Sequence, residues 1–342
     1  MTPAQLSRTV LQTVRRAVEA DELRVAVLPE RVKVQAPPRA GCGDYATNVA
    51  LQLAKLVKGD GGPAVALRVA EVLRRRLVVT PGIARVDIAG PGFLNITVDP
   101  GGHAALVRGV LERGEGYGRS DALAGTLVRL APAREVRGAL VGAVVGRLVA
   151  VCRGECEVVD GGEVLAVRPV GIAPEELLGS LGSDAARWAL LRPAAHDLPD
   201  LDPGRLLAQR ESNPLFRVRY AHARVRALLR NGLDLGVGPS SDGSGADSAY
   251  DHPTAVALIS LLGDYPRLLE SAARHRAPDR LARHLEATAD AFFRFHDACP
   301  PLPRGEQKPL AAHRSRLALA EAAGTVLAGG LHLLGISAPE HL

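Results

Sequence analysis

The stretch QRESNPLFRVRYAHARVRALLR, Gln209–Arg230, decides how the second half of this 342-residue chain is read. Asn213 is a good N-cap, and Pro214 at the first helical position gives up only an N–H that has no intrahelical partner. Val218, Ala221, Val225, Leu228 and Leu229 then recur at three- and four-residue steps, which puts them on one helical face. At roughly 100° per residue, Arg217 and Arg224 flank that stripe on one side and Arg219, Arg226 and Arg230 on the other. Tyr220, Ala223 and Ala227 lie opposite it. Periodicity alone admits two readings: a helix that anchors a domain and offers guanidinium groups to a polyanion, or a solvated helix in an Arg-rich protein.

Composition frames the choice. With 47% hydrophobic and 23% charged residues, the chain can bury a core and is long enough for two or three domains. Net charge is +5 and the isoelectric point about 9.3, a mild basic balance. Lysine occurs only at Lys33, Lys55, Lys58 and Lys308. Arginine suits bidentate phosphate contacts, but high genomic G+C content enriches Arg together with Ala, Gly and Pro, so the excess alone says little about nucleic acid. Cys42, Cys152, Cys156 and Cys299 are scattered and lack a His or second Cys pair in metal-ligand spacing. No metal site is expected, and the thiols read as reduced and cytoplasmic. Met1–Glu19 is an amphipathic pattern carrying Arg8, Arg15 and Arg16, without the apolar stretch of a secretory leader. The most apolar run, Ala139–Cys152, contains Arg147 and falls short of the about 20 residues that a bilayer span needs. A soluble cytoplasmic protein with no membrane partner is expected.

Taken in order, residues 1–30 read as one helix, with Leu6, Val10, Leu11, Val14 and Val18 on a single face, followed by a short strand-like segment. Pro37-Pro38 and Gly41–Gly43 mark a loop. Asp44 is positioned to cap a helix beginning near Tyr45, with Val49, Leu53 and Leu56 at helical spacing. After a break at Gly59–Pro63, Ala64–Leu77 forms another amphipathic helix. A turn at Pro81-Gly82, a strand over Ala84–Ala89, a tight turn at Gly90-Pro91-Gly92 and a strand over Phe93–Val98 complete a small α+β module.

The motifs GDYATNVALQLAK, Gly43–Lys55, and PGIARVDIAGPGFLNI, Pro81–Ile96, resemble the N-terminal added domain of arginyl-tRNA synthetases. In that family the domain binds the D-loop at the tRNA elbow, and the segment after the GPG turn presents an aromatic and an amide side chain to a splayed base. The resemblance gives those roles to Phe93 and Asn95, a chemistry that suits stacking on an unstacked base and reading its edge. From the residues alone, Phe93 reads equally as a core aromatic and Asn95 as a turn-capping amide.

Gly101–Leu123 reads as helical and Leu127–Ala131 as a strand, followed by the helix GALVGAVVGRLVAV, Gly138–Val151. Class I synthetases place a His-x-Gly-His turn before this helix, so that histidines and the helix N-terminus stabilise charge on the transferring adenylyl group. Here Val136-Arg137-Gly138-Ala139 stands in that place, with both histidines replaced. Gly138, Gly142 and Gly146, four residues apart, read as a close-packing face. Val167-Arg168-Pro169-Val170-Gly171 occupies the position of the lysine-bearing second signature, Lys-Met-Ser-Lys, without a lysine. Only Glu155–Leu181 precedes GSDAARWALLR, Gly182–Arg192, where the family has a long α/β region. A nucleotide-binding sheet stripped of strands cannot enclose ATP and an amino acid.

Residues 201–342 resemble the helical anticodon-binding domain of the same family, the type named DALR for the sequence Asp-Ala-Leu-Arg. Gln209–Arg230 opens it; Arg210-Glu211-Ser212-Asn213-Pro214 stands where Ser-Asn-Asp-Asn-Pro is usual, and His341-Leu342 where the family ends in Arg-Met. Asn231–Ala249 and Pro300–Lys308 read as flexible connections. His252–Leu262, Tyr265–His275, Pro278–Cys299 and Arg314–Leu334 read as amphipathic helices of a bundle. Positive charge concentrates on the opening helix, with seven Arg against Glu211 between residues 205 and 230.

The resemblance implies an α+β multidomain chain: an N-terminal α+β tRNA-binding domain over 1–119, a shortened remnant of the α/β Rossmann-like catalytic domain over 120–200, and an all-α bundle over 201–342. It implies a tRNA-binding protein, with tRNA or a tRNA-like RNA as partner, that has lost catalysis. Arg217, Arg219, Tyr220, Arg224, Arg226 and Arg230 are its candidate RNA contacts. No cofactor is expected; ATP enters only if the chain is instead an active arginine–tRNA ligase. A third reading is a helical module for protein partners, such as a complete synthetase.

Overall fold

Two separate sets of apolar residues each find a core. In the computed structural model, residues 3–25, 27–29, 32–35, 37, 42–56, 62–80, 82–240 and 249–342 are described. The expected breaks at Pro37–Gly43, Gly59–Pro63 and Pro81, and residues 241–248 of the expected Gly/Ser-rich loop, lie wholly or partly outside them.

The smaller core is N-terminal. Helix α1 (Pro3–Glu19) buries Leu6, Val10 and Val14 at four-residue steps. With α2 (Val49–Ala54) and α3 (Pro63–Leu77) it covers an antiparallel sheet ordered β1 (Val34–Gln35), β2 (Tyr45–Thr47), β4 (Phe93–Val98), β3 (Ile83–Ala89). Leu94, Ile96 and Val98 alternate into this core, so Phe93, Asn95 and Thr97 belong to the opposite face. Gly90 and Gly92 turn the β3–β4 hairpin with φ of 51° and 132°. A Cβ at Gly92 would also meet Ala66 at 3.1 Å, so the turn requires glycine there.

Two expectations change in this part. The first helix ends at Glu19 rather than running toward residue 30. Asp44 caps no helix: Tyr45–Thr47 is a fully buried strand paired to β4, and the Val98 N–H donates to Asp44 Oδ2 at 2.9 Å. Sheet pairing overrides the helical spacing until Val49.

The larger core begins with α4 (Pro100–Arg113) and takes in the rest of the chain. Strand β5 (Leu127–Leu130), helix α5 (Val136–Val151) and strand β6 (Glu155–Val158) form a βαβ unit whose two strands run parallel. Helix α6 (Pro174–Leu191) kinks at Gly182, whose φ is 69°, and buries Trp188. After α7 (Pro203–Leu206), the bundle consists of α8 (Pro214–Asp234), α9 (Pro253–Arg274), α10 (Asp279–Ala298) and α11 (Ala311–Leu334).

Helix α8 therefore continues four residues into the stretch expected as loop, and α9 is a single helix where two were expected, with Pro266 inside it. Proline cannot donate to the carbonyl four residues back, that of Leu262. The Tyr117 hydroxyl donates to that carbonyl instead, at 2.9 Å. Helix α11, not α5, is the one among the described residues long and apolar enough to cross a membrane, and 67% of its apolar window is buried inside the bundle. Gly324 and Gly330 give it close contact: a Cβ would stand 2.8 Å from Val225 Cγ1 and 2.5 Å from Leu285 Cδ2 respectively. The expected close-packing face of α5 is looser, since Cβ atoms at Gly142 and Gly146 would find ordinary contacts of 3.8–3.9 Å with Leu165, Leu130 and Cys156. The two cores meet where Tyr45 Oη lies 3.2 Å from Ser260 Oγ on α9. Burial pushes the Tyr45 phenol up to about 12.

Candidate nucleic-acid interface

Helix α8 starts as its sequence dictates. Asn213 accepts from the Leu215 N–H at 3.1 Å, while its Nδ2 donates to the Leu206 and Ala208 carbonyls and so fixes the entering chain. Val218, Ala221, Val225 and Leu228 are buried. Ala223, expected opposite them, is buried too, because the C-terminal segment covers that flank.

This covering disposes of most of the two arginine columns. Arg219 meets Asp184 at 3.7 Å and the Ser337 hydroxyl at 3.3 Å. Arg226 pairs with Glu340 at 2.8 Å, and Arg230 reaches the Glu340 carbonyl and His341. Between them His222 Nδ1 lies 2.9 Å from the Pro339 carbonyl, and burial pushes its pKa below the usual histidine range. Ser337 is held to Asp184 as well. On the other flank Arg217 pairs with Asp290 at 2.8 Å and lies over the Phe293 ring. Arg224 alone of the five is exposed and makes no ion pair or side-chain hydrogen bond among the described residues.

The exposed face of α8 carries aromatics instead. Tyr220, 40% exposed, stacks between Phe216 at 5.6 Å and Phe293 of α10 at 5.7 Å, with interplanar angles of 6° and 23°. Arg217 borders this ladder, Arg224 follows Tyr220 by one helical turn, and a cavity of about 420 Å³ opens beside Phe216, Arg219 and Leu342. Such a surface presents partly exposed aromatic rings for stacking and the free Arg224 guanidinium for phosphate. Phe216 was visible in sequence as the residue one turn before Tyr220. Phe293 carried no local signal, since it comes from another helix.

On the N-terminal sheet, Phe93 is 42% exposed and Asn95 9%. They lie on one face of β4, Asn95 between Ala46 and Asp87 in register, and Phe93 at the hairpin end. Phe93 is therefore not a core aromatic, and Asn95 caps no turn. Arg85 and Asp87 on the same face pair with each other at 2.8 Å. Asn95 makes no side-chain hydrogen bond among the described residues, so its amide remains available.

At the degenerate signature, Val136 is half-buried and Ala139 exposed, and neither offers a proton donor. Glu135 is the N-cap of α5, its carboxylate accepting from the Arg137 and Gly138 N–H groups at 3.0 and 2.5 Å. The positive end of the helix is thus filled by the chain's own anion. Arg137 is 1% exposed and donates from all three nitrogens to the carbonyls of Arg168, Leu190, Pro193, Ala194, Ala195 and Asp197, at 2.8–3.4 Å. Burial draws its pKa down, partly offset by Glu135 and Asp197. Segment 167–171 is pinned in the same knot, with Arg168 N–H on the Ala195 carbonyl. Among the described residues no cluster of His, Cys, Asp or Glu could hold a metal ion.

Two family descriptions match the chain. "Arginyl tRNA synthetase N terminal domain" matches residues 4–98, and "DALR anticodon binding domain" residues 218–342. The arginine–tRNA ligase of Frankia alni is 39% identical over 201 residues, covering 58% of this chain and 35% of its own length. That of Paenarthrobacter aurescens is 45% identical over 168 residues, covering 49% and 30%. The chain thus spans about a third of these relatives. The ligase of Pseudarthrobacter chlorophenolicus aligns end to end at 27% identity over 559 positions, so a long stretch of it has no counterpart in the 342 residues here. Arginyl-tRNA synthetases of Thermus thermophilus (TM-score 0.71, 14% identity) and Plasmodium falciparum (0.64, 10%), each matched over the whole of both chains, share the fold. With both matches in order on one polypeptide, the chain carries the N-terminal domain and the DALR anticodon-binding domain of arginyl-tRNA synthetases.

Proposed function

We propose that this chain is a cytoplasmic tRNA-binding protein that has kept the two RNA-contacting parts of its family and given up aminoacylation. Residues 1–119 hold the elbow, with Phe93 stacking on a base and Asn95 reading its edge; 201–342 hold the anticodon arm; 120–200 are what remains of the class I catalytic domain. The observation that carries the reading is the partly exposed ladder Phe216–Tyr220–Phe293, with Arg217 over Phe293 and the exposed Arg224 one helical turn beyond Tyr220. A ring stack reaching solvent at Tyr220, close to the unpaired Arg224 guanidinium, suits unpaired bases and their phosphates. Arg219, Arg226 and Arg230 act in this reading by holding the C-terminal segment against α8 rather than by reaching the RNA first.

The loss of catalysis is supported by the closed end of α5. A triphosphate approaching it meets the Glu135 carboxylate, and Arg137 is committed to six carbonyls. The residues there do not fit ATP.

Filter binding with total tRNA tests the reading. Retention should fall steeply with salt, and Tyr220→Ala should weaken it about 5- to 100-fold, the loss of one stacked base. A wild-type protein that retains no tRNA at low salt removes the proposal. The end-to-end alignment with a named ligase favours a second reading, an active ATP-dependent arginine–tRNA ligase. ATP–pyrophosphate exchange above background, with arginine and tRNA present, decides for it.

A further inference from the structure

Between the two cores runs a trough of about 1250 Å³, walled by α1 on one side and α9 on the other, with α4 as its floor. Resting on the RNA-binding reading above, we infer that this trough is a track for the phosphate backbone of the RNA between its two holding points.

Its charge is one-sided. Arg8, Arg113, Arg119, Arg267 and Arg274 line it, all exposed, against Asp121 and Glu270. Asp121 is already paired with Arg153 at 3.0 Å. Arg8 and Arg119 make no ion pair or side-chain hydrogen bond among the described residues, and Arg267 has Asp264 as a charged neighbour without pairing to it. Unpaired guanidinium groups contributed by both cores leave an uncompensated positive field along the trough.

The floor suits a backbone rather than a base. Gly102, Ala105 and Gly109 face the trough at three- and four-residue steps of α4 and keep its middle low, with Leu106 beside them and Arg113 at the end. A Cβ at Gly109 would meet only the end of Arg113, at 3.9 Å. The one aromatic lining residue, Tyr117, is buried, and its hydroxyl is committed to Leu262. No ring face is offered for stacking. At this size and exposure the trough also exceeds the roughly 300–1,000 Å³ of sites that enclose a small ligand.

The test is filter binding of total tRNA across a salt series, with wild type, the triple variant R8A/R119A/R267A, and a control triple, R68A/R134A/R304A, that removes equal exposed charge off the trough. Each lost phosphate contact should flatten the plot of log affinity against log salt by about 0.9. The trough triple should therefore be shallower by about 2 to 3 and at least 10-fold weaker at moderate salt, the control triple by less than 1. Arg119→Ala, outside any helix, should show about a third of the effect, and circular dichroism melts should coincide for all. A trough triple indistinguishable from wild type, or from the control triple, overturns the track while leaving the RNA-binding reading to the Tyr220 experiment. Loss of poly-glutamate binding with tRNA binding intact assigns the trough to an acidic protein segment and likewise overturns it. A wild type that binds no tRNA fails the parent reading, and the track with it.

Discussion

At Arg137, replacement by Met keeps the aliphatic stem in place but leaves six carbonyls short of a donor. A buried polar group left unsatisfied costs about 1–3 kcal/mol, and water can recover some of these. Arg137→Met should lower stability by at least about 3 kcal/mol, read as a shifted urea midpoint; a change under about 1 kcal/mol would show that the knot is not held by this residue. Sequence placed Arg137 against the family's signature and saw that the histidines were gone, but not what the arginine does, because its partners lie 31–60 residues away. Of the aromatic ladder only Tyr220 was singled out in sequence, and the fate of the arginines was not legible. Asp184, Asp290 and Glu340, which neutralise them, come from other elements. His284 supplies a pH signature at the same scale. It is buried against Tyr265, and burial pushes its pKa down to about 4. Its folded value lies below the unfolded value near 6.5, so its stability contribution is complete above that pH and lost as pH falls toward 4. Between pH 7 and 4.5 the loss should be about 2–3 kcal/mol, and His284→Gln should flatten that slope in urea titrations.

Among the elements, α9 shows why helical periodicity alone misplaced a boundary. Proline at 266 argues for an interruption, yet α9 runs through it, with the freed Leu262 carbonyl taken up by the Tyr117 hydroxyl from the segment after α4. Tyr117→Phe should strand the Leu262 carbonyl and cost about 1–2 kcal/mol, with little change in helix content by circular dichroism. Helix α11 makes the opposite point. Glycine in mid-helix reads as weakness, about 1 kcal/mol against alanine. Yet Gly330→Ala should destabilise the bundle by about 1–3 kcal/mol, because Leu285 already fills the space where the methyl would go. A stabilised variant in thermal melts would show that Leu285 yields. The short strand Tyr45–Thr47 was misread for a related reason: its alanine and threonine suit either structure, and only the pairing with β4 decides. The hairpin turn at 90–92, in contrast, was fully local and was legible.

Over the whole molecule, the order of parts was the most readable property, since two long and separate motifs fix the ends. What sequence could not supply is how those parts touch: the larger core recruits α4, so the division of apolar residues falls between Val98 and Ala104. The chain also has a single tryptophan, Trp188, sealed in the larger core at 2% exposure. Its emission is consequently a one-sided optical witness. Melting of the N-terminal sheet on its own would pass unseen in tryptophan fluorescence and register only in far-ultraviolet circular dichroism. Any lag between those two signals on heating measures how firmly the contact around Tyr45 and Ser260 makes the two halves unfold together.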